Sequence, residues 1–161
     1  MAEQGNTVAS GGAFLRGLAG GEPADADVAP PCEDDLALAQ QLEARLAAVK
    51  LYVRHKDDAK PLDFYVGRPT LWGNRFRLPK GATDDDRRLV VLQYAREFAG
   101  RSSAQRWMML AQMRVVIRRG GKLICWCAPR LCHAQVLAYW ALFASDPLTG
   151  PSGLDAARGP R

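Results

Sequence analysis

The sequence predicts a small α/β domain, a single layered sheet with flanking helices, on three observations. The apolar run KLICWC at 122–127 reads as a buried central strand near the middle of the fold. Two further segments, KLYVRH (50–55) and DFYVGR (63–68), are rich in residues that favour strands. Four stretches carry apolar residues at three- and four-residue spacing. They give the order helix, strand, strand, helix, helix, strand, helix, which suits a sheet covered by helices.

Each element has a local cause. Leu38, Leu42, Leu46 and Val49 define an amphipathic helix over about 35–48. DDAKP turns the chain between the first two strand segments, and TLWGNRFRLPKG after Pro69 reads as a structured loop. Thr83 followed by Asp86 resembles an acidic capping box, and Asp84–Asp86 suit a helix N-terminus. That helix, with Leu89, Leu92 and Phe98 among its contacts, ends at Gly100. Ser102 or Ser103 caps the next, which carries Trp107, Leu110, Met113 and Ile117 and stops at Gly120-Gly121. Pro129 breaks the third strand. A last helix starts near Cys132, with Val136, Leu137, Trp140 and Phe143 on one side.

The chain of 161 residues suits one compact domain with tails. Residues 1–33 are Gly/Ala/Pro/Asp-rich with almost no large apolar side chains, so they read as a disordered arm, and 145–161 as a disordered tail. The ordered domain is expected over 34–144. With 48% apolar and 24% charged residues the composition is that of a globular protein, and no long apolar run offers a transmembrane helix. No secretory signal is evident, and the four Cys read as reduced thiols in a cytoplasmic setting.

The net charge of +5 is unevenly distributed. Between 87 and 133 stand ten Arg and Lys residues against the single acid Glu97, whereas residues 1–50 are acidic. A surface of one sign attracts phosphates or an acidic partner; the alternative is arginines that coat solvated helix faces.

Two segments hold residues fit for chemistry. In the first, Cys125-x-Cys127-x4-Cys132 is followed directly by His133. Three sulfurs and an imidazole, Cys125, Cys127, Cys132 and His133, form an acceptable tetrahedral zinc set, although common sites use two separated pairs. As an alternative, Cys132 at a helix N-terminus has a lowered thiol pKa and acts as a nucleophile, with His133 as general base. A third reading makes Cys125 and Cys127 small core residues, and for Cys125 the residues favour it. Cys32 lies in the arm and is incidental. The second segment runs from Val66 to Phe76. There Gly67 and Arg68 place a guanidinium where a ligand approaches, Trp72 offers a stacking face, and Gly73-Asn74 present an amide edge. The plainer alternative is a folded loop with Trp72 and Phe76 plugging the core.

GRPTLWGNRF at 67–76, a following helix with Tyr94, and GGKLICWCAPRLCHAQVL at 120–137 together resemble the small prokaryotic and viral family catalogued as domain of unknown function 4326. The resemblance spans about residues 50–142. This sequence departs from the pattern at Arg75, where proline is usual, and at Ala134, where glycine is frequent. The resemblance singles out Gly67, Arg68, Trp72, Gly73, Asn74, Cys127, Pro129, Cys132 and His133, and implies a pocket between the two blocks. On that basis the expected function is binding of a nucleotide or nucleic-acid component, with hydrolase or transferase chemistry at Cys132 and His133. The alternative is a noncatalytic nucleic-acid module, zinc-braced, held by its basic helices.

Overall fold

The computed structural model describes residues 33–149; the arm up to residue 32, Cys32 with it, and the tail from 150 lie outside the described residues. Three short strands, β1 (Val53–His55), β2 (Phe64–Tyr65) and β3 (Leu123–Cys125), form one parallel sheet in the order β1-β3-β2. Four helices accompany it: α1 (Glu33–Leu46), α2 (Asp84–Gly100), α3 (Ser103–Arg118) and α4 (His133–Phe143). The expected α/β architecture and the central place of the third strand are therefore observed.

The strands are shorter than their sequence signals. Residues 47–52 continue α1 as a 3₁₀ helix, and only Val53–His55 pair with β3, in register with Leu123–Cys125. Val49, assigned to α1 by periodicity, is fully buried from this 3₁₀ turn. The ladder of β2 extends by one bond beyond the strand, from Val66 N to the Ile124 carbonyl at 3.0 Å.

Asp63 fixes where the strands begin. Its carboxylate accepts from Lys122 N and Lys60 N, both at 2.8 Å, and from Arg54 Nη1 at 2.9 Å. One nearly buried side chain thus ties the entry of β3 to β1 and to the turn before β2. Gly121, just before β3, passes so close to this turn that a Cβ there would lie 2.2 Å from the Leu62 carbonyl oxygen.

The helices start where their caps direct. Thr83 and Asp86 form a reciprocal capping box at α2, and Ser102 and Gln105 form one at α3. Gly120 follows α3 in the left-handed region, φ 81°. Helix α4 is buried along nearly its whole length, from His133 to Ala141, rather than on one side. It packs against α1, α2, α3 and the sheet, which is why apolar residues surround its axis. Phe98, Leu42, Leu46, Leu92, Leu110, Met113, Leu123 and Leu137 are the largest apolar side chains sealed in this core.

The C-terminal limit lies further along than the sequence indicated. Ser145 and Pro147 are buried, and Arg45 of α1 donates to the carbonyls of Pro147 at 2.7 Å and Leu148 at 2.6 Å. Those bonds hold residues 145–149 on the domain, where the sequence placed the start of a tail. Among the described residues no helix is long and apolar enough to cross a membrane.

Candidate functional site

Strands β2 and β3 run parallel, so the loops that follow them leave the same end of the sheet. A cleft of about 510 Å³ opens between those loops and the N-terminal part of α2. Gly67, Arg68, Asn74 and Phe76 line it from the first block, and Cys125, Trp126, Cys127, Cys132 and His133 from the second. Arg87, Val90 and Val91 of α2 complete its wall. The peptides Arg68–Pro69 and Ala128–Pro129, one in each block, are cis.

His133 joins the two blocks. Its Nε2 lies 2.9 Å from the Val66 carbonyl oxygen. A carbonyl only accepts, so Nε2 carries the proton and the neutral ring turns the Nδ1 lone pair elsewhere. That lone pair faces Cys125 Sγ at 3.8 Å. Burial holds the imidazole below its ordinary pKa of 6.5; the bond to Val66 works against this and the nearby Arg68 charge reinforces it.

The three thiols of this block interact with one another. The Cys127 thiol draws the Cys125 pKa down, but the Cys132 thiol and burial outweigh it, and Cys125 is pushed up to about 12. Cys127 is pushed up too, first by Cys125 and then by burial, while Arg87 pulls the other way. Among the described residues no three His, Cys, Asp or Glu side chains are disposed to hold a metal ion. Cys125, Cys127, Cys132 and His133, the zinc set the sequence allowed, are therefore not such a group among the described residues.

The imidazole pairs with Cys125, not Cys132. Cys132 is the N-cap of α4, with its backbone N–H donating to Gln135 Oε1 at 3.2 Å. Adjacency in sequence made Cys132 and His133 look like partners; α4 packs against β3 and its first residue gives the imidazole to the strand cysteine instead.

Other expected ligand residues are structural. Trp72 is not on the cleft: its Nε1–H donates to the Met109 carbonyl at 3.1 Å, and its ring packs edge-on against Phe64 at 4.8 Å. Gly73 is also away from the cleft, where a Cβ would meet the Arg68 backbone at 2.9 Å. Pro129 lines a separate depression beside β1 with Lys50, Val53 and His55. Asn74 lines the cleft, yet its amide holds the loop, accepting from Phe76 N at 2.9 Å and donating weakly to the Val90 carbonyl at 3.4 Å.

Trp126 and Arg87 were not among the expected ligand residues. The sequence places Trp126 inside the 122–127 strand segment, but β3 ends at Cys125 and the turn after it brings the indole, 57% exposed, to the cleft. Its Nε1–H donates to Tyr65 Oη at 2.8 Å, and the Tyr65 hydroxyl in turn donates to the Arg68 carbonyl at 2.8 Å. Arg87 looked like one more basic residue of a helix face. Its Nε is buried without a hydrogen-bond partner, and among the described residues neither Arg87 nor Arg68 is ion-paired with an acid.

Much of the remaining basic segment is already engaged. Arg88 pairs with Glu43 and Asp85, Arg96 with Asp35, and Arg101 with Glu97. Arg106 donates to the carbonyls of Ala99, at 2.5 Å, and Arg101, closing the end of α2. Arg114 donates to the Ala141 carbonyl. Acids of α1 and of α2 itself therefore offset three charges of the stretch that looked one-signed in isolation: Arg88, Arg96 and Arg101.

Neither a curated protein nor a solved structure matches the chain. A family model does match, over residues 49–142, more than half of the sequence and the span that contains both blocks. With its two signature blocks converging on one cleft, the chain belongs to the family described as Domain of unknown function (DUF4326).

Proposed function

We propose that the cleft between the two blocks binds a small anionic ligand with a flat ring, of the nucleotide class. Arg68 and Arg87 take the anion, and Phe76 and Trp126 supply apolar contact for the ring. The observation that carries this reading is the pair of guanidiniums beside one cleft with no acidic partner among the described residues, with Arg87 Nε buried and unbonded. A buried donor without a partner costs about 1–3 kcal/mol, which an oxyanion recovers once the Arg87 side chain turns that donor into the cleft. The volume also falls in the range of small-ligand sites, about 300–1,000 Å³.

Calorimetric titration of nucleoside monophosphates, nucleosides and inorganic phosphate tests the reading. Saturable binding of a monophosphate is expected, at least tenfold weaker after Arg87→Ala and much weaker for the matching nucleoside. Absence of saturable binding across the series, or affinity indifferent to both Arg68→Ala and Arg87→Ala, overturns it. Salt-sensitive binding of DNA or RNA that survives those two substitutions would move the function to the end of α3 and the turns on either side of β3, where Arg118, Arg119, Lys122 and Arg130 form no ion pair among the described residues.

A further inference from the structure

The floor of the cleft has the parts of a nucleophilic site, and the residue that occupies the nucleophile's position is one the sequence favoured as core. Cys125 ends the central strand β3, faces the cleft, and meets an imidazole whose tautomer is fixed. Three roles are filled in order: a thiol, a nitrogen lone pair 3.8 Å away to receive its proton, and the Val66 carbonyl holding that imidazole by its other nitrogen at 2.9 Å. A core histidine needs only the second of these contacts. Arg68 is near enough to act on the imidazole's charge, and Arg87 acts on the neighbouring Cys127 thiol, so the cationic groups border the thiol cluster.

We propose that Cys125 is a nucleophile and His133 its general base in acyl transfer from an acyl phosphate, an inference that rests on the reading of the cleft as an anion site. As the Cys125 sulfur bonds to the carbonyl carbon, its proton passes to His133 Nδ1. The bond from that carbon to the phosphate oxygen breaks, and the phosphate leaves on Arg68 and Arg87 with the proton from His133. Water or a second acceptor then adds to the thioester carbon, the carbon–sulfur bond breaks, and Cys125 regains its proton through His133. The substrate class follows from geometry: an anion-binding pair beside the thiol favours an electrophilic carbon attached directly to the anionic leaving group. The resting thiol is protonated, because the Cys132 thiol and burial disfavour its charge and outweigh Cys127, so the base is needed at the moment of attack.

Acetyl phosphate is the probe. The full chain is incubated with it, digested without reductant, and the acetyl group located by mass spectrometry. The expected result is a hydroxylamine-labile adduct on Cys125, slowed by excess inorganic phosphate and formed at least tenfold more slowly in His133→Gln. If that variant does not fold, the map on the unaltered chain still decides. An adduct on Cys127 or Cys132 with Cys125 free overturns the assignment. No adduct, with inorganic phosphate still binding by calorimetry, defeats the thiol chemistry and leaves the anion cleft standing. No binding of inorganic phosphate or of any nucleoside monophosphate, and no adduct, defeats both.

Discussion

The imidazole of His133 and the carbonyl of Val66, 67 residues apart in the chain, meet at 2.9 Å and join the two sequence blocks at the floor of the cleft. Removing the donor leaves a buried carbonyl unpaired and a hole beside Tyr94, whose ring packs against the imidazole. His133→Ala should lose about 2–4 kcal/mol of folding stability, read as a lower denaturant midpoint at unchanged slope. The same pair makes stability depend on pH. The folded pKa of His133 lies below its unfolded value of 6.5, so the unfolded chain binds the extra proton first. The contribution is complete above about pH 6.5 and diminishes as the pH falls from there to the folded pKa. Midpoints measured from about pH 7.5 to about pH 5 should therefore fall more for the unaltered chain than for His133→Gln.

Asp63 should be among the least replaceable polar residues. Its carboxylate serves three donors at the entry to the sheet. Asp63→Ala leaves Lys122 N and Arg54 without their partner and should cost about 2–4 kcal/mol. Hydrogen exchange at the amides of β1 and β3 would show the loss as faster exchange there than in α2.

The two tryptophans beside the blocks should separate stability from binding. Trp72→Phe removes the indole donor from the Met109 carbonyl and should lower stability by about 1–2 kcal/mol, with ligand affinity within about twofold. Trp126→Ala, at a mostly exposed position, should leave the denaturant midpoint nearly unchanged and weaken monophosphate binding severalfold.

The cap of α2 has its own acid signature. Thr83→Ala removes the side-chain acceptor for Asp86 N and should cost about 1 kcal/mol. Asp86 is held below its ordinary pKa of 3.8 by hydrogen bonds from the Thr83 side chain and backbone. Its contribution is present above about pH 3.8 and is lost as the pH falls through the lower folded value. The stability gap between the unaltered chain and Thr83→Ala should therefore narrow in acid, as followed by circular dichroism.

Local signals were legible where their causes are local. The Thr83 cap, the glycine stop after α3 and the central position of β3 each depend on residues within one turn or one strand, and all three are observed. The meeting of the two blocks was implied by the family resemblance alone; its physical cause, the parallel run of β2 and β3, belongs to the structure. What failed was the choice among similar side chains. Trp72 is internal because a carbonyl 37 residues away accepts its indole N–H, and Trp126 is external because β3 ends one residue before it. Cys125 rather than Cys132 receives the imidazole because the start of α4 packs against the end of β3, a contact between segments that local sequence does not show. The basic helices looked free because the acids that pair with Arg88 and Arg96 lie on α1, outside that stretch of sequence.

The placement of Trp126 gives this protein an optical reporter. Its indole stands at the mouth with the Lys56 ammonium 3.6 Å from the ring, while Trp140 is shut inside the core and Trp72 is bonded to α3. A guest that enters between Arg68 and Arg87 changes the polarity around one fluorophore and leaves those two, with Trp107 exposed on α3 and outside the cleft lining, as a steady background. Emission from the unlabelled chain should then shift in wavelength as the cleft fills, and Trp126→Phe should silence that response.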